Sequence, residues 1–135
     1  MKQFAIALAC SALIGCAPAT LSKLKESQSN VYEFRVAQNY QPVYRTVTDN
    51  ARECWQTGLI TAQMVVQSDL FTDIRKGQVA VALHGGLGVS TYLGIDIEAV
   101  SESESTVRVY AYNDPWAKNG QRVRKWLDGS GGKCS

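Results

Sequence analysis

Between residues 31 and 128 the spacing of apolar positions alternates between two periods. Val31 to Val36 has a step of two, with Tyr32, Phe34 and Val36 on one side and Glu33 and Arg35 on the other. That pattern predicts a strand. From Asn39 to Thr57 the step lengthens to three and four, and Tyr40, Val43, Tyr44, Val47, Ala51, Cys54 and Trp55 form one helical stripe. Asn39 suits the N-cap, Pro42 the first turn and Gly58 the stop. Leu59 to Gln67 alternates again, and Asp69 to Gly77 reads as a connection. Gln78 to His84 predicts the next strand, and His84-Gly85-Gly86-Leu87-Gly88 a glycine-rich hairpin turn. Val89 to Val100 predicts a long strand, Ser101 to Thr106 a polar turn, and Val107 to Tyr112 the last strand. Asp114-Pro115-Trp116 opens a final helix with Asp114 as N-cap. Trp116, Gly120, Val123 and Leu127 form its apolar stripe, with Trp126 beside it.

The predicted order is β-α-β-β-β-β-α, which implies an α+β fold. We expect an antiparallel five-stranded sheet with two helices on one face. The last two strands pair face to face when Glu98 lies opposite Arg108, Asp96 opposite Tyr110 and Gly94 opposite Tyr112. The uncovered face then carries His84, Tyr92, Asp96, Glu98, Arg108, Tyr110 and Tyr112. Tyrosines there supply strand propensity on a solvated face. Tyrosine and arginine are also favoured at interfaces, so the same face is the candidate interaction surface.

The N-terminus has its own pattern. Lys2 precedes an apolar run from Phe4 to Gly15, too short to span a bilayer and of the length of a secretory signal. The run ends in Leu13-Ile14-Gly15-Cys16, which resembles the lipobox of bacterial lipoproteins. The resemblance implies a signal peptide over residues 1–15, acyl chains on Cys16, and a mature chain beginning there. Cys10 would leave an apolar segment of only six residues before it, Phe4 to Ala9, and is expected to leave with the signal. Ala17 follows Cys16, so the resemblance implies the outer membrane, with the domain facing the periplasm. Residues 16–30 are rich in Ser, Thr and Lys and are expected to form a flexible tether. Residues 31–135 then make a single domain.

Removing 15 of the 135 residues leaves 120, enough for one core. The net charge of +2 and the lack of a basic stripe interleaved with aromatics give no expectation of a nucleic-acid partner. Beyond Cys16 the mature chain has two cysteines, Cys54 and Cys134, and an exported protein pairs them by default. His84 is the lone histidine, and no metal-ligand spacing or nucleophile motif is present, so neither a cofactor nor catalysis is expected. The glycine-rich turn leads into a strand, not a helix N-terminus, which argues against a phosphate loop.

Asn39-Tyr40-Gln41-Pro42-Val43-Tyr44-Arg45 opening a helix, with Cys54 closing it, resembles short Gram-negative envelope lipoproteins of unknown function. The layout is also similar to the helix-grip domains of outer-membrane assembly lipoproteins. These likenesses imply a membrane-anchored, non-catalytic accessory module with an envelope protein partner. The alternative is a small-ligand or lipid carrier with a cavity between helices and sheet.

Overall fold

Asn39 begins the element on which the core is built. In the computed structural model, which describes residues 16–27, 30–132 and 134, its side chain accepts the Gln41 N–H at 2.9 Å and caps a helix. The signal-peptide reading of residues 1–15 lies outside the described residues. In chain order the elements are α1 (Leu21–Ser27), β1 (Val31–Val36), α2 (Tyr40–Trp55), β2 (Thr57–Leu59) and β3 (Ala62–Phe71). They continue with β4 (Lys76–Gly85), β5 (Gly88–Ala99), β6 (Ser105–Ala111), α3 (Asp114–Ala117) and α4 (Asn119–Asp128).

The fold is α+β with one antiparallel sheet, in the order β1-β6-β5-β4-β3-β2. It has six strands, not five. After α2 the chain does not run straight into a long strand. Thr57–Leu59 folds back on Ala62–Met64 around Ile60 and Thr61, which makes β2 an extra edge. The expected connection from Asp69 to Gly77 is mostly strand, because β3 and β4 stay paired out to Phe71 and Lys76.

α2 and α4 pack on one face of the sheet. Tyr40, Val43, Val47, Ala51 and Trp55 of α2 are buried against Val66, Val79, Val81, Leu93, Ile95 and Ile97. Val123 and Trp126 of α4 join them, and Trp126 lies 5.0 Å from the Trp55 ring. The last helix starts one residue earlier than expected and in two pieces, because Asn113, not Asp114, accepts the Trp116 N–H at 3.1 Å. Gly120 is required on α4, since a Cβ there would fall 2.8 Å from the Tyr32 ring. Cys54, at the end of α2, is bonded to Cys134, with Cα atoms 5.1 Å apart and a sequence separation of 80. The disulfide therefore ties the glycine-rich tail to the helix side.

The expected flexible tether contains α1, a packed helix. α1 lies on the other face of the sheet, over β5 and β6. Leu24 is 1% exposed. Leu21 fills the hollow left by Gly94, where any Cβ would overlap its Cδ1. Two leucines three positions apart suffice, because a glycine in the facing strand lets the short helix approach closely.

Candidate functional site

The residues of β5 and β6 expected on one open face are paired differently, and α1 covers part of that face. Asp96 lies opposite Arg108, Gly94 opposite Tyr110 and Glu98 opposite Thr106. This is a slip of two residues from the expected register. It arises because the β5–β6 turn is shorter: the Val100 N–H donates to Glu104 O at 2.9 Å, and Ser105 is already in the strand. A slip of two preserves the faces, so the charged residues still meet, diagonally instead of directly.

The structure gathers Asp96, Glu98, Arg108 and Tyr110 from the predicted set. Three residues outside the set complete a network: Glu33 of β1, Lys76 of β4 and Lys25 of α1. Asp96 is only 3% exposed and meets Lys25 Nζ at 2.6 Å and Lys76 Nζ at 3.3 Å. Gln78 Nε2 also donates to it, at 3.3 Å. Glu98 accepts from Lys76 Nζ and from Arg108 Nη1, both at 3.1 Å. Arg108 Nε donates to Glu33. Lys25 sits 5.7 Å from the centre of the Tyr110 ring, within range of a cation–π contact.

Three carboxylates thus face three cations. Burial works against charge on Glu98, but hydrogen bonds from Lys76 and Arg108 outweigh it and hold the carboxyl below its ordinary value. Burial also opposes charge on Lys76, and the Glu98 hydrogen bond with the Asp96 charge outweighs it and raises the ammonium. Burial, then the Asp96 charge, pushes the Tyr110 phenol up. Physically the network is a clasp. It binds α1 to the sheet through Lys25, and the strand beneath is neutralised.

His84, Tyr92 and Tyr112 lie elsewhere. A bulge in β5 sets Val81 opposite Leu93 but Ala82 opposite Thr91, so Tyr92 is the extra residue. Its ring stacks on Trp116 at 5.4 Å, and Trp116 in turn meets Trp55 at 6.4 Å. Tyr112 packs edge-on against Tyr92 at 5.8 Å. These two tyrosines belong to an aromatic group with the helix-side tryptophans. His84 is paired with Gln63 and Val89 near the β4–β5 turn.

The bulge also reverses Thr91, which leaves the face of Leu93 and is buried under the N-terminal segment. Its N–H donates to Pro18 O at 2.6 Å. Cys16, the predicted acylation site, is exposed with a free thiol. Sequence reasoning missed Lys25 and Lys76 because both stood in presumed connections. Glu33 was legible, since it alternates with Tyr32 and Phe34 onto the polar side.

Among the described residues, no group of three His, Cys, Asp or Glu side chains is placed to hold a metal ion. No helix among them is long and apolar enough to cross a membrane. Comparison with protein-family models, curated proteins and solved structures finds no significant match to the chain.

Proposed function

We propose that the protein is a lipoprotein of the cell envelope, anchored by acyl chains on Cys16 in the outer membrane, with its domain in the periplasm as a non-catalytic accessory module. The observation that carries this reading is the division among the mature chain's cysteines. Cys54 and Cys134 pair, and Cys16 stays free and exposed at the domain surface behind a signal-like apolar run. A structural disulfide is the pairing expected in an oxidising compartment. The carboxylates of the charged face each have a cation partner, an arrangement suited to holding α1 and not to moving protons.

The carrier alternative is disfavoured by packing. Trp55, Trp126, Val43, Val47 and Ile95 fill the space between helices and sheet where its cavity would lie. The envelope partner expected of an accessory module would meet surface outside that packed interior.

The test is the mature N-terminus. Mass spectrometry of the purified protein is expected to show diacylglycerol and an acyl chain on Cys16. Cys16→Ser is expected to leave the outer-membrane fraction. A bare N-terminus, or an unchanged distribution of the variant, refutes the reading.

A further inference from the structure

One end of the sheet carries no charge. No Asp, Glu, Lys or Arg occurs between Gln56 and Ser68, or between Gly77 and Ile95. Those two runs contain the β2–β3 tip at Ile60–Thr61 and the β4–β5 tip at Gly86–Leu87. The tips are neighbours, since Ile60, Thr61, Gly85 and Gly86 line one cleft. Leu59, Ile60, Leu87 and Val89 are all exposed there, Ile60 and Leu87 completely. The other end of the same strands is crowded with Asp69, Asp73, Arg75, Glu102 and Glu104.

The uncharged end also projects. β6 stops at Ala111, opposite Leu93, and β5 runs on to Gly88. With Tyr92 bulged, β4 advances four residues over that span, from Val81 to Gly85, and at ~3.3 Å per residue the overhang is roughly 13 Å.

The N-terminal segment leads to this same end. Leu21 sits over Gly94, and Pro18 is bonded to Thr91, so towards its start the chain follows β5 back to the tip. Cys16 stands two residues before Pro18, a reach of at most about 7 Å.

We infer that the two hairpin tips rest in the interfacial layer of the bilayer, side by side with the anchor. This rests on the lipoprotein reading and adds an orientation to it: β5 stands end-on to the membrane, and the charged turns point away. With Pro18 fixed to the sheet, the acyl chains cannot hold the domain at a distance, so Ile60 and Leu87 meet lipid. Apolar side chains without charged neighbours enter the headgroup–acyl boundary, roughly 5–10 Å deep, at little desolvation cost. The tips go no deeper, because their turn backbones need polar partners.

The experiment places a photoreactive diazirine side chain at Ile60 or Leu87 of the full-length chain in cells, with Ile74 and Ser103 at the charged end as controls. After irradiation, adducts and the mass of the Cys16 peptide are read from the same sample. Phospholipid adducts at 60 and 87, at least tenfold above 74 and 103, support the orientation. With Cys16 acylated, equal or absent lipid adducts, or adducts to a protein instead, overturn it and leave the anchor standing. An unmodified Cys16 overturns the anchor, and adducts at 60 and 87 in that sample would still support the seat.

Discussion

The two faces of the sheet are held by different physics. Under α2 and α4 the contact is continuous and apolar, with Val43, Val47, Leu93, Ile95 and Ile97 fully buried. Under α1 one buried leucine is flanked by ion pairs. Apolar burial is non-directional and grows with the area removed from water, and it is not subject to ionic screening. The partly exposed pairs of Glu98 contribute little each and weaken with ionic strength, whereas the Lys25 pair ends on the buried Asp96 and is screened less. The lesson is one of cooperativity. The helix side carries the apolar core, and the α1 side, with fewer buried apolar contacts, is expected to open at a lower free energy than the whole fold.

The largest effect should come from untying the helix side. With a sequence separation of 80 between Cys54 and Cys134, the double variant Cys54→Ala/Cys134→Ala should lose about 4–5 kcal/mol by chain entropy. Urea unfolding of the oxidised and variant proteins measures it. Coincident midpoints would mean that the bridge constrains nothing.

A matched pair of truncations sharpens the contrast. Ile95 and Leu24 are equally inaccessible aliphatic residues on opposite sides of the sheet. Ile95→Ala leaves a cavity in the shared core and should cost about 2–5 kcal/mol. If α1 opens as a unit, the cost of Leu24→Ala is limited to the docking energy of a seven-residue helix. Its global cost should stay below about 2 kcal/mol, at the low end of what burying a leucine yields. Its signature is local: the Thr91 amide, bonded to Pro18, should exchange much faster, with the Ile95 amide unchanged. Equal global losses from both variants would show that the two faces are one cooperative unit.

The difference between the faces also explains what could be read in the chain. The helix side was legible because its signals are local. Asn39 announces its cap, the α2 stripe repeats over four turns, and Val107, Val109 and Ala111 alternate against Arg108 and Tyr110. The α1 side was not. Leu21 and Leu24 make too short a stripe to stand out among Ser, Lys and Glu. Their counterparts, Gly94 and Asp96, lie some 70 residues away. The register slipped by two because periodicity sees only odd from even. The turn length that decides it depends on the hydrogen bonds at Val100 and Ser101. The bulge at Tyr92 left no glycine or break in alternation, since Thr91 suits either face. Of the seven candidate face residues, the four that do gather are those downstream of that bulge and within the strands.

The smallest expected effect is on pH. The Glu98 carboxyl is opposed by burial and held down by Lys76 and Arg108, below its ordinary 4.5. The stability it adds is therefore present above pH 4.5 and is lost as the pH falls through the lower folded value. Lys76 is opposed by burial and raised by Glu98 and Asp96, so its contribution holds below 10.5 and fades at higher pH. Between those limits the clasp should be constant. Below pH 4.5 the Lys76 and Arg108 side-chain resonances should shift as Glu98 takes up its proton, while the Ile95 methyls stay fixed. Glu98→Gln should abolish that local transition, and high salt should weaken it, because Glu98 is 39% exposed and its pairs are screened. If the Ile95 methyls respond together with Lys76 and Arg108 on acidification, protonation acts on the whole fold, and the division between a core and a clasp fails.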